Sequence, residues 1–217
     1  STFMRNGRPD EGLFFDCITR TLVEARRGFS PRVRAFGEMV NLLWRQGNQE
    51  AALELEELWN RVIQRLAGRY RTVRFDARAR GKSGTSADYS VQGAVDDLGR
   101  VIDATGVERP IVAGWSYGAT VGVRYAAQHP GQLGGLVLID GAYPVTMLDE
   151  AGKEKVRAQF RRLGWIMRIL AAVGRSARMT PAQSADVVIE MDAVNGALGP
   201  DFAALQCPAA FVVGTGA

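Results

Sequence analysis

Pro110-Ile-Val-Ala-Gly114-Trp115-Ser116-Tyr117-Gly118-Ala-Thr-Val-Gly-Val-Arg-Tyr-Ala-Ala127 is the stretch whose reading decides the fold. Ile111 to Ala113 is a short aliphatic run of the kind that forms a buried parallel strand. The residues from Gly118 to Gln128 read as a helix that stops before Pro130. Between them stands Gly-x-Ser-x-Gly, the spacing of a strand-turn-helix elbow that forces its serine into a strained, exposed position. Ser116 is therefore the candidate nucleophile, with Gly114, Trp115 and Gly118 shaping the turn. The helix start aims backbone N–H groups and a favourable dipole at one point, which makes the Tyr117 N–H the candidate oxyanion donor.

Working outward, the chain from position 68 alternates short apolar runs with amphipathic segments. That is the pattern of an α/β fold with a mostly parallel sheet flanked by helices. Strands are expected at Thr72 to Phe75, Ile111 to Ala113, Leu136 to Ile139 and Ala210 to Val213. Helices are expected at Val91 to Thr105, ending before Gly106, and at Gly118 to Gln128. Another is expected at Glu154 to Val173, where Val156, Phe160, Leu163, Met167 and Leu170 form a stripe. The interval from about 142 to 206 shows helices and no strand, and reads as a helical cap insertion over the strand ends. Before Gly68 the pattern is more helical. Ala51, Leu55, Leu58, Trp59, Val62, Ile63 and Leu66 share one helical face after a cap at Asn48, Leu13 to Ala25 is a second amphipathic stretch, and Val33 to Phe36 a short strand. Two segments are expected, 1–67 and 68–217.

Composition narrows the chemistry. The 217 residues are 47% hydrophobic and 23% charged, an ordinary globular mixture with the length for one domain or two small ones. The net charge of +4 is spread evenly, with 10 basic and 9 acidic residues in 1–67 and 17 against 14 in 68–217. Neither part makes a polyanion binder on charge, so no nucleic-acid partner is expected. Cys17 and Cys207 offer neither a disulfide framework nor metal-ligand spacing; they read as small buried hydrophobes. No metal and no cofactor are expected. Apolar runs are broken by charge, as at Arg168, so no membrane span is expected, and the absence of a leader pattern points to the cytoplasm. His129 is the single histidine.

With those residues in hand, 68–217 resembles the α/β-hydrolases. The resemblance runs through Phe75-Asp-Ala-Arg-Ala-Arg-Gly-Lys-Ser83, the elbow, His129-Pro130, Leu136-Val-Leu-Ile-Asp140 and Cys207-Pro-Ala-Ala-Phe-Val-Val-Gly214. It implies acyl transfer through Ser116 on a small ester-like substrate. Asp140 corresponds to the acid position used by some relatives. Ala79 stands where the family loop usually has glycine, so a local change of backbone is expected there. The family's histidine follows its last strand, and the sequence reaches Ala217 without one. His129 lies at the far end of the helix that follows Ser116, so the triad is expected to be incomplete and activity impaired.

Residues 1–66 resemble the C-terminal part of the MEDS sensory family, through Phe36-Gly-Glu-Met-Val, Leu42-Leu-Trp-Arg-Gln-Gly-Asn and Leu55-Glu-Glu-Leu-Trp-Asn. Gly37 then stands where a second oxyanion donor belongs, with the Glu38 carboxylate beside it opposing catalysis unless it points away. The rival readings are a noncatalytic sensory or ligand-binding protein and a fusion fragment without function.

Two further patterns carry less. Arg80-Gly81-Lys82-Ser83 ends like a phosphate-binding loop, but Asp76 occupies the position of its first glycine. Residues 153–178 hold eight basic residues and one acidic, which reads as a lid with its apolar face toward a pocket, ahead of a membrane-surface helix.

Overall fold

The computed structural model describes residues 4–6, 8–16, 50, 54, 58, 61, 72–139, 141–172 and 176–212. The chain divides into two compact units, one of Ser1–Val73, Val137–Asp140 and Ala209–Ala217, the other of Arg74–Leu136 and Gly141–Pro208.

In the first unit a hairpin opens the chain: β1 (Met4–Arg5) pairs antiparallel with β2 (Arg8–Pro9), Met4 opposite Pro9 and Arg5 opposite Arg8. Asn6 turns with φ 53°. No strand is expected there from apolar patterning, although Asn6-Gly7 is the dipeptide that two-residue hairpins favour. Residues 11–16 are helical and bury Phe14 and Phe15, and Glu50, Glu54, Leu58 and Arg61 are helical too, in line with the expected amphipathic helix. Arg8 pairs with Glu54 at 3.1 Å and Arg61 with Glu11 at 2.7 Å. The expected strand at 33–36, the rest of the 13–25 helix, Gly37, Glu38 and Cys17 lie outside the described residues, as do most positions of the MEDS-like stretch.

The second unit carries the helices. Here α1 (Val91–Thr105) is capped by Ser90, whose Oγ accepts from Gly93 N at 3.0 Å, and ends on Gly106 with φ 60°. Val91, Val95 and Leu98 form its buried face. Then β3 (Ile111–Trp115) leads into α2 (Tyr117–Gln128), and β4 begins at Gly135 and runs to Ile139. Gly122 lets α2 sit close to the sheet, because a Cβ there would meet Leu136 Cδ2 at 3.3 Å and Val112 Cγ1 at 3.6 Å. Next come α3 (Glu150–Ala172), α4 (Pro181–Gly196) and α5 (Gly199–Ala203); β5 (Ala209–Val212), like β4 from Val137 on, is grouped with the first unit. Pro181, the first residue of α4, lies inside a full capping box between Thr180 and Gln183. The sheet order is β3-β4-β5, parallel and flanked by helices, as the alternating pattern implied. No strand lies between β4 and β5 among the described residues.

Three expectations need correction. Thr72 to Phe75 is extended but is not a strand: no backbone pairs with it among the described residues, and Val73 and Phe75 are each 46% exposed, so neither face is covered. The stripe on α3 is only partly buried. Val156, Phe160 and Met167 are half-buried whereas Leu163 and Leu170 are exposed, since the helix touches α4 along the side marked by Gly164, where a Cβ would lie 2.7 Å from Pro181 Cγ. Cys207 is half-buried instead of buried.

Arg78 holds the loop before α1. Its guanidinium grips the Asp97 carboxylate through Nε at 2.6 Å and Nη2 at 3.0 Å, and donates to the Asp88 carbonyl at 2.8 Å, Asp88 Oδ2 at 3.0 Å and the Gly93 carbonyl at 3.1 Å. Ala79 keeps the left-handed backbone usual for glycine, at φ 61°, tied by its N–H to Gly84 O and by its carbonyl to Arg178 N, each at 2.8 Å. The loop after it closes on Asp76, whose Oδ2 accepts from Lys82 N at 2.9 Å. A carboxylate thus fills the turn where a phosphate cradle would need open N–H groups.

The Asp97 carboxyl is held below the usual range by the bond from Arg78, and Asp88 by the Ser90 N–H and hydroxyl ahead of Arg78. A folded-state value below the unfolded one gives stability that is complete above the ordinary carboxylate range and is lost as pH falls through the lowered values. Arg78→Met is expected to cost about 2 kcal/mol at neutral pH and to flatten the acid limb of stability below the ordinary carboxylate range. Urea denaturation across pH checks both.

Candidate active site

Ser116 sits at the apex between β3 and α2 with φ 49° and ψ −112°, a conformation costing a non-glycine residue on the order of 1–3 kcal/mol. Close packing on both sides holds it. A Cβ on Gly114 would lie 2.1 Å from the Gly118 carbonyl oxygen, and one on Gly141 would lie 2.3 Å from the Ser116 carbonyl oxygen and 2.8 Å from its Cα. Only bare backbone fits at 114 and 141. At Gly118 the space is different, since a Cβ there meets nothing within 4 Å.

The Ser116 side chain makes no cap bond to α2; its carbonyl accepts from Ala119 N at 3.0 Å. The hydroxyl is thus not spent on stabilising the helix start. Tyr117 is the first residue of α2, so its N–H has no partner within the helix, and no acidic residue stands in the first turn to compete for an anion. Its phenol reaches the Ser90 carbonyl at 3.4 Å, and burial, then the Glu190 carboxylate, push its pKa up to about 12. Trp115 is 41% exposed beside the turn.

A polar frame supports this end of the unit. Buried Thr120 on α2 donates to Asn195 Oδ1 on α4 at 2.7 Å, and Asp192, also on α4 and buried, accepts from Met147 N at 2.8 Å and Leu148 N at 3.1 Å. Thr146 lies against Gly196, whose Cβ would fall 2.0 Å from its Oγ1, and Glu190 Oε1 accepts from Val91 N at 3.1 Å. No local pattern announces Glu190, Asp192 or Asn195, because their partners are 44 to 99 positions away. Each is an ordinary polar residue on a helix until the tertiary fold supplies a donor.

The structure brings Gly114, Trp115, Ser116, Tyr117, Gly118 and Gly141 together. It places His129 elsewhere, at the far end of the 12-residue α2, about 18 Å along its axis, stacked on Tyr125 with ring centroids 4.3 Å apart. Asp140, the candidate acid, lies outside the described residues, as does Gly37. No cluster of metal-ligating side chains occurs among the described residues.

A family model described as alpha/beta hydrolase fold matches residues 53–184, well over half of the sequence. The chain belongs to the α/β-hydrolase family. Over 85 residues it is 36% identical to the "Putative carbamate hydrolase RutD" of Caulobacter sp. (strain K31), an alignment covering 38% of this chain and 32% of that protein. Over 119 residues it is 30% identical to the "Putative non-heme haloperoxidase" of Mycobacterium phage D29, covering 53% and 41%. Among solved structures it is similar to the Paleococcus ferrophilus monoacylglycerol lipase, with a TM-score of 0.46, 21% identity and coverage of 65% and 61%. The chain spans about a third of the length of the carbamate hydrolase relatives it matches.

The packing around the turn predicts unequal effects of two alanines in one motif. Gly114→Ala is expected to cost about 3 kcal/mol, since backbone must move, whereas Gly118→Ala in open helix is neutral or stabilising by up to about 1 kcal/mol. Chemical denaturation of the two variants checks this.

Proposed function

We propose that this α/β-hydrolase-family chain carries a serine acyl-transfer site, with Ser116 as nucleophile and the Tyr117 N–H as oxyanion donor. The reading rests on one observation: a left-handed serine whose side chain caps nothing, at a strand-to-helix turn kept open by Gly114 and Gly141. In the proposed step Ser116 Oγ attacks a carbonyl carbon, and the charge that develops on the carbonyl oxygen is met by the helix N-terminus. The leaving group departs and water then frees the acyl-enzyme. A small ester suits this chemistry, and so does a carbamate, the substrate class in the printed name of the Caulobacter relative, because both present a carbonyl bearing a leaving group. Trp115 and Tyr117 beside the turn favour an apolar acyl part. Asp140 is the proposed acid, and Gly37 the proposed second oxyanion donor.

The general base is the weak point of this site. His129 is the only imidazole in the sequence, and α2 holds it away from Ser116. Within this stretch no imidazole activates the hydroxyl, so reaction at Ser116 in the chain by itself is expected to be slow. That observation favours, as a second reading, a noncatalytic ligand-binding site at the same turn.

Labelling by a fluorophosphonate separates the two. On the hydrolase reading the folded chain reacts slowly, added imidazole speeds the reaction, and Ser116→Ala abolishes it. Folded protein that stays unlabelled with imidazole present, or labelling that survives Ser116→Ala, refutes Ser116 as nucleophile.

A further inference from the structure

The 23 residues of α3 make a helix about 35 Å long that buries only Gly164. Gly164 faces Pro181 of α4. At about 100° per residue, Trp165, Ile166, Ile169 and Leu170 project from the sides away from that contact. Their exposures are 65%, 36%, 57% and 37%, a large apolar surface for one helix of a water-facing protein.

The charges on the same helix are one-sided. Its two acidic residues are engaged locally, Glu150 with Lys153 and Glu154 with Arg157, each at 2.6 Å. Lys155, Arg161, Arg162 and Arg168 are exposed and form no ion pair among the described residues. Four cations thus stand interleaved with an apolar face that carries a tryptophan, whose ring suits the boundary between water and hydrocarbon.

We propose that α3 docks in the plane of an anionic lipid surface, its apolar side chains in the headgroup boundary and its cations on lipid phosphates. Three features select this occupant. A second copy meeting the same face about a two-fold axis would set the four cations against their own counterparts. Nucleic acid or free phosphate would satisfy the cations and leave Trp165 and Ile169 in water. Crossing the bilayer is not required, since no helix among the described residues is long and apolar enough to span it. An amphipathic, basic, tryptophan-bearing helix lying flat matches both halves of the surface. The proposal does not depend on acyl transfer at Ser116.

Flotation of the whole chain with phosphatidylcholine vesicles, with and without about a third phosphatidylglycerol, tests it. Binding is expected to the anionic vesicles only and to weaken as salt rises. Arg161→Gln with Arg162→Gln is expected to weaken it about 25-fold, near fivefold per cation removed. Trp165→Ser with Ile169→Ser is expected to weaken it at least about tenfold. These side chains are exposed, so circular dichroism and the urea midpoint should match the parent, and single Arg161→Gln serves if a double variant unfolds. Ser116→Ala should bind like the parent, which separates this outcome from the fate of the serine. The proposal fails if anionic vesicles are not bound, if both vesicle types are bound equally, or if both double variants bind unchanged. Sedimentation showing self-association that Trp165→Ser abolishes, with no vesicle binding, would assign the face to a second copy instead.

Discussion

The approach of the chain after β4 to the serine turn is the constraint on which the candidate site depends. Gly141 lies so close to Ser116 that no side chain can begin there, and Gly114 lies as close to the Gly118 carbonyl. Two contacts between bare backbones therefore keep a non-glycine residue at φ 49°. Their stabilisation is not in what they attract but in what they exclude: Ser116 has no room to relax to an ordinary helical start. A strained serine is affordable only where neighbours over-determine it. Asp192 and Thr146 add to this by fixing the segment that follows Gly141 against α4.

Much of the fold could be read from local pattern. Val91 to Thr105 reads as a helix ending before Gly106, and the structure ends it there in a left-handed turn; the Ser90 side-chain cap at its start is seen only in the structure. The strands at 111, 136 and 210 needed only short aliphatic runs between helices, and they occur within a residue or two of those positions. The turn at Ser116 was legible because glycine spacing records a steric demand directly. Its two glycines are unequal, though: Gly114 answers a clash and Gly118 answers none in the structure. Gly141, which abuts the serine, belongs to no motif and becomes visible only when β4 has brought it there.

What escaped the sequence escaped for physical reasons. Thr72 to Phe75 has the alternation of a strand, but a strand exists only by virtue of its neighbour, and sequence does not show whether a neighbour is present. The α3 stripe was drawn from periodicity alone, whereas the contact with Pro181 at Gly164 turned Leu163 and Leu170 outward. Ala79 holds a left-handed backbone with a side chain in place, fixed by Gly84 and Arg178, which only the folded loop supplies. In each case tertiary packing overrode a local preference by an amount that propensity cannot register.

The unequal burial of two helices bears on how the molecule opens. α2 buries seven residues, from Ala119 to Ala126, whereas α3 buries one. Cooperative units with the fewest buried groups open at the lowest free energy. Amide protons along α3 are therefore expected to exchange with solvent sooner than those of α2, which leads out of the serine turn.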